Sequence, residues 1–139
     1  MRAIPSFMSV NSENLERALI SAIRNGVEDR DIAVAFSGGL DSGLVAAISR
    51  DYARSVTLYT SGKAESYDVV MAREMSEELG LPWLHIPITK DNIEARLREM
   101  ISITGTSSPL TLSFELPLFF VCRTVHEKFI TGGQGSDEL

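Results

Sequence analysis

The chain has 139 residues, 44% hydrophobic and 23% charged, which is ordinary for a soluble globular protein and suits one domain spanning residues 1–139. At that size a fold buries about two-thirds of its unfolded surface. A net charge of −6 speaks against non-specific nucleic-acid binding, which needs a basic face, and no apolar run approaches the ~20 residues of a membrane span.

The N-terminus, Met1-Arg2-Ala3-Ile4-Pro5, lacks the long apolar core of a signal peptide. Asn11 or Ser12 can cap a first helix, with Glu13 and Glu16 in its first turn, where the helix dipole favours them. Leu15, Ala18, Leu19, Ala22 and Ile23 fall on one face at helical spacing, and Gly26 can end the helix. Ile32-Ala33-Val34-Ala35-Phe36 is an apolar run that reads as the first strand.

That strand runs into Ser37-Gly38-Gly39-Leu40-Asp41-Ser42, followed by a helix from about Gly43 to Tyr52 with Leu44, Val45 and Ile48 as its apolar stripe. Glycines let a backbone take positive φ and come close to a ligand, and a helix N-terminus offers unpaired N–H groups and partial positive charge. The stretch therefore has the makings of a phosphate cradle, with Ser37 and Ser42 adding hydroxyls. Asp41 would repel a phosphate unless a divalent cation lies between them, and Mg²⁺ is the usual choice. The plainer alternative is a strand–turn–helix corner in which Asp41 and Ser42 cap the helix.

Ser55 to Thr60 is rich in β-formers and predicts a second strand, then a loop at Ser61-Gly62-Lys63. A helix from about Ser66 to Leu79 should bury Val70, Met71, Met75 and Leu79 before Gly80-Leu81-Pro82 stops it. Trp83 to Ile88 predicts a third strand, and Pro87, which lacks a donor, places it at a sheet edge. Asp91 and Glu94 suggest a capping box for a helix presenting Ile93, Leu97, Met100 and Ile101. A polar loop from Thr104 to Thr111 leads to an apolar helix from Leu112 to Lys128, kinked or started by Pro117. Phe129-Ile130-Thr131 is a short last strand that delivers Gly132 and Gly133, where the backbone can approach a ligand closely.

Alternating strands and helices predict an α/β fold: a doubly wound parallel sheet of four or five strands, with helices on both faces. Ligands of such sheets bind outside the carboxyl ends of the strands, where both the Ser37–Ser42 loop and the Gly133 segment fall. Other motifs carry less. Gly62-Lys63 is followed by Ala64 where a Walker loop needs Ser or Thr, and no Gly-x-Gly-x-x-Gly follows a strand. His85 and His126 are isolated and read as structural or surface residues. The single cysteine, Cys122, excludes an internal disulfide, reads as a buried thiol, and fits a cytoplasmic location.

Ser37-Gly38-Gly39-Leu40-Asp41-Ser42 resembles the signature of the N-type ATP pyrophosphatases, or PP-loop proteins, which cleave ATP between its α and β phosphates. Roughly a hundred residues later, Gly133-Gln134-Gly135-Ser136-Asp137-Glu138 resembles the Gly-Glu-Gly-Ser-Asp-Glu segment of the synthetase domain of asparagine synthetases. The resemblance runs from about Ile32 to Leu139 and implies an adenine nucleotide alpha hydrolase-like fold with strands ordered third, second, first, fourth. It implies ATP and Mg²⁺ as cofactors, a carboxylate substrate activated as its adenylate, and AMP and pyrophosphate as products. Asp41 and Asp137 match the family's metal-serving aspartates. Ala35, Ser37, Gly38, Gly39, Leu40, Ser42, Leu58, Gly132, Gly133, Gly135 and Ser136 match its nucleotide site, Ala35 and Leu58 on the adenine.

Gln134 stands where the family carries a glutamate, and the family's glutaminase domain, later helical part and catalytic lysine have no counterpart here. Amide synthesis by this chain alone is therefore not expected, unless a second chain or another copy completes the site. Two further readings keep the nucleotide site: an ATP pyrophosphatase with another acceptor, nicotinate-type or a tRNA base, or a nucleotide-binding module without turnover. The acidic balance speaks against tRNA.

Overall fold

The computed structural model describes residues 12–134. Its elements are α1 (Ser12–Val27), β1 (Asp31–Ala35), α2 (Leu40–Tyr52), β2 (Ser55–Gly62), α3 (Tyr67–Leu79), β3 (Trp83–Pro87), α4 (Lys90–Thr104), α5 (Pro109–Cys122) and β4 (Phe129–Gly132). The four strands form one parallel sheet in the order β3-β2-β1-β4, the order that the resemblance implies. β3 is an edge strand, which its Pro87 predicted.

Alternation along β1 separates two cores. Ile32 and Val34 face one side of the sheet, where they meet Val27 of α1, Ala46 of α2, Leu58 of β2 and Ala72 of α3. Ala33 faces the other side, with Tyr59 of β2, Met100 of α4, and Leu112, Leu116 and Phe120 of α5. Helices thus cover both faces, and the loops at the carboxyl ends of the strands share one rim. Among the described residues no helix is long and apolar enough to cross a membrane.

Several expectations are corrected. α1 leaves Leu15, Ala18 and Ala22 exposed and packs on α2 through its last turns, where Val27 is buried and the Arg24 guanidinium lies 5.2 Å from the Tyr52 ring centre. The Asn11 cap lies outside the described residues. In α2, Leu44 is exposed, whereas Ile48 is buried as expected, together with the small residues Ala46 and Ser49. In α3, Val70 points out while Val69 and Ala72 point in, and Met75 and Leu79 pack against the core as expected. Ile93 and Ile101 of α4 are also at the exposed limit, with Met100 the buried residue.

β2 runs on through Ser61 and Gly62, which pair with Ile86 and Pro87 rather than forming a loop. α4 starts two residues earlier than its charges suggested: Thr89 is the N-cap, and Asn92 Oδ1 accepts the Thr89 backbone N–H at 2.9 Å. α5 begins at Pro109, where a missing N–H costs nothing, and Ser108 caps it by accepting from the Thr111 N–H. It ends at Cys122, not Lys128, and Cys122 is exposed because Phe120 and Val121 take the inward positions. His85 stacks on Trp83 with rings 8° apart and bonds to Gly62 O, a structural role, and His126 is on the surface.

Candidate functional site

The Ser37–Ser42 loop turns the end of β1 into the start of α2, and its shape is imposed by its neighbours. Gly38 has φ +76°, and a Cβ there would stand 2.5 Å from the backbone of Met71 and Ala72 in α3. Only glycine meets both conditions. Gly39 is the N-cap of α2 with an ordinary extended backbone. The hydroxyls knit the turn internally: the Ser37 N–H donates to Ser42 Oγ at 3.3 Å, the two hydroxyls lie 3.2 Å apart, and Ser42 Oγ reaches Gly39 O. Behind the loop, Trp83 Nε1 donates to Thr60 Oγ1, which in turn donates to Phe36 O at 2.5 Å.

The second segment arrives from β4. A Cβ on Gly133 would stand 2.7 Å from the Ser42 nitrogen and 2.9 Å from Asp41 Cβ, so the two motifs are in direct contact at the N-terminus of α2. The side chain missing at Gly133 makes room for α2. Gly132 lies 3.5 Å from Ala35 by the same measure, an ordinary contact across the β1–β4 pair.

Between the loop, the ends of β1, β2 and β4, and α5 lies a cleft of about 550 Å³. Of the residues expected in a nucleotide site, Ala35, Ser37, Gly39, Leu40, Asp41, Ser42, Gly132 and Gly133 line it. Gly38 is turned toward α3, and Gly135, Ser136 and Asp137 lie outside the described residues. Leu58 does not line it. The side chain is fully buried in the core on the opposite face, and the β2 residues that reach the cleft are Tyr59, Thr60 and Ser61.

Sequence reading also missed the apolar wall. Phe114, Pro117, Leu118 and Val121 of α5 face the cleft together with Ile130, and Ser61 Oγ ties β2 to this wall by donating to Pro117 O at 2.6 Å. The clustering of Phe, Pro and Leu around Pro117 was the available signal, but it looked like core. Asp68, in the first turn of α3, is a second carboxylate on the rim. The described lining thus holds two aspartates and no Lys, Arg or His. Among the described residues no group of three or more His, Cys, Asp or Glu could hold a metal unaided. The oxygen donors present suit a hard cation such as Mg²⁺, which takes one or two carboxylates and completes its shell with water and phosphate oxygens.

A family model for asparagine synthase matches residues 14–139. Similar sequences include a putative glutamine-hydrolysing asparagine synthetase of Methanocaldococcus jannaschii, 27% identical over 131 residues, and asparagine synthetase 2 of Arabidopsis thaliana, 29% identical over 138. These alignments cover 91% and 89% of the chain but only 24% and 23% of the relatives, so the chain spans about a quarter of their length. Among solved structures, the NH3-dependent NAD synthetase of Campylobacter jejuni, in complex with nitrate, superposes with a TM-score of 0.60 at 15% identity. That match covers 93% of this chain and 59% of the other, and it shows a shared fold.

Proposed function

Since the chain belongs to the asparagine synthase family, we propose that its cleft binds ATP as the magnesium complex and serves α–β cleavage coupled to activation of a carboxylate. The observation that carries this reading is the contact of Gly133 with Asp41 and Ser42, which puts the first motif and the start of the second on one rim of one cleft. The N-terminus of α2 and the Ser37 and Ser42 hydroxyls would hold phosphate oxygens. Asp41 would hold Mg²⁺, whose bound form neutralises phosphate charge that the described lining cannot, having no basic residue. By the resemblance of the Gly133–Glu138 segment, Asp137 would complete the metal pair, and Gly135 and Ser136 would add to the phosphate site. The apolar wall around Phe114 and Leu118 suits a base.

In the proposed reaction a carboxylate oxygen bonds to the α-phosphorus as the bond to the bridging α–β oxygen breaks. Pyrophosphate leaves, and the adenylate can pass its acyl group to a nitrogen nucleophile with release of AMP. Transfer needs a proton acceptor, and the cleft-lining amide of Gln134 cannot serve at neutral pH. We therefore expect Mg-ATP binding without asparagine formation from aspartate and ammonia. A nucleotide-binding module without turnover is the second reading, and Gln134 is the observation that favours it. Leu40 and Phe114, both on the rim, are 85% and 71% exposed, which supports closure of the cleft by further polypeptide, in the same chain or another. A lone exposed thiol and an ATP substrate fit the cytoplasm.

The test is the product pattern from ATP labelled in the α and γ phosphates. AMP and pyrophosphate support the synthetase reading, and binding without products supports the module. ADP would contradict α–β chemistry, and no binding would overturn both readings.

A further inference from the structure

Tyr59 is 2% exposed, yet it is one of the residues that line the cleft. It sits on β2 opposite Ala35 of β1, and its hydroxyl donates to Glu127 Oε2 at 2.9 Å, in the segment leading from α5 into β4. Because β1 lies between β2 and β4, the phenol must cross β1 to make this bond. It can do so because the β1 residues packed on that face are the small Ala33 and Ala35. The bond therefore ties β2, which reaches the cleft, to the segment leading into β4, the strand whose far end delivers Gly132 and Gly133 to the cleft.

We propose that the Tyr59–Glu127 hydrogen bond is a strut that sets the width of the cleft, making Tyr59 a positioning residue for the ligand. The pair is built to stay in one protonation state. Burial, then the bond to Glu127, pushes the Tyr59 phenol up to about 12. Burial pushes the Glu127 carboxyl up, but its own backbone N–H, the Tyr59 and Thr57 hydroxyls and the His126 N–H outweigh this and hold it below the usual range. At neutral pH a neutral donor meets a charged acceptor, the stronger kind of hydrogen bond. Phenylalanine would fill the same space, so the hydroxyl contributes geometry rather than volume.

The ligand half of this inference rests on the nucleotide reading; the strut itself does not. The experiment uses the full chain with Tyr59→Phe, Glu127→Ala, Glu127→Gln and the Tyr59→Phe/Glu127→Ala pair. Mg-ATP affinity is measured by calorimetry well below each unfolding midpoint, and amide exchange of β4 is followed without ligand. Tyr59→Phe and Glu127→Ala should each weaken affinity about five- to tenfold, a part of the worth of one charge-assisted bond. The double variant should be no worse than either single one, and Glu127→Gln, which keeps an acceptor, should recover most of the loss. The β4 amides should exchange faster in Tyr59→Phe. A purely structural bond would lower the midpoint and leave the affinity of the folded protein unchanged, which overturns the positioning role. Should the unmodified chain bind no Mg-ATP, the nucleotide reading fails, and β4 exchange decides alone: faster supports the strut, unchanged overturns it.

Discussion

Gly133 and Ser42 meet with no room for a side chain between them: a Cβ on Gly133 would stand 2.7 Å from the Ser42 nitrogen. Two segments far apart in sequence are thereby locked into one surface, and the lock is backbone against backbone, which cannot yield as a side chain would.

Gly133→Ala should push the end of β4 off α2 and weaken Mg-ATP binding about tenfold or more, equivalent to ~1.4 kcal/mol. Gly43→Ala is the matched control. It lies inside α2 where a Cβ meets nothing within 4 Å, so it should stabilise the fold by roughly 0.5–1 kcal/mol and spare binding. Calorimetry and urea unfolding of the two variants check this pair; equal binding by both would contradict it.

Asp41→Asn should weaken Mg-ATP binding at least about tenfold, since an amide is a poor Mg²⁺ ligand beside phosphate. Asp41 is exposed in the first turn of α2, so the variant should lose no more than about 1 kcal/mol of stability, the usual worth of a carboxylate at a helix N-terminus. Chelation with EDTA should abolish binding by the unmodified protein, because the described lining offers no basic side chain to take the cation's place. Tight binding of metal-free ATP would contradict this.

Acid stability should show the ion pair at the opposite rim of the sheet. Arg54, and then the Ser55 hydroxyl, hold the Asp31 carboxyl down at about 2 from its ordinary 3.8. A carboxyl held low in the fold contributes stability that is fully present above 3.8 and is lost as the pH falls toward 2. Asp31→Asn should therefore lower the thermal midpoint at pH 7 and flatten its decline across that acid window. The pair is exposed, so the effect should be small and shrink with salt.

Leu58 and Phe114 should separate stability from binding. Leu58→Ala should cost about 2–5 kcal/mol of stability, the range for a large-to-small change in a packed core. Phe114, 71% exposed at the cleft, should tolerate alanine with little loss of stability but with weaker nucleotide binding. Denaturation and calorimetry of both variants are the check, and a stable Leu58→Ala with impaired binding would reverse the assignment.

Much of this architecture is legible without coordinates, for a physical reason. β1 and the loop after it combine a short apolar run with residues that only a strand-to-helix turn explains, and Pro87 marks its strand as an edge. Local signals of this kind survive in any context. The floor and wall of the cleft are different. Tyr59 and Glu127 are 68 residues apart, and nothing near either one announces the other. Phe114 and Leu118 carry the same apolar character as the buried Leu112 and Leu116, so composition cannot tell the cleft face of α5 from its core face. The start of α5 was hidden because Pro109, next to Ser107 and Ser108, reads equally as loop and as first turn.

The bond from Trp83 to Thr60, and from Thr60 to the carbonyl of Phe36, gives the protein a built-in optical probe. Trp83 is the only tryptophan, and its indole N–H is linked by two hydrogen bonds, through one hydroxyl, to the carbonyl of Phe36 just before the Ser37–Ser42 turn. Indole emission responds to the strength of the bond it donates, so strain placed on the turn by an arriving ligand should reach the fluorophore through a single hydroxyl. Occupancy can then be followed in real time on the unlabelled chain, and Thr60→Val should silence the signal by removing its one relay.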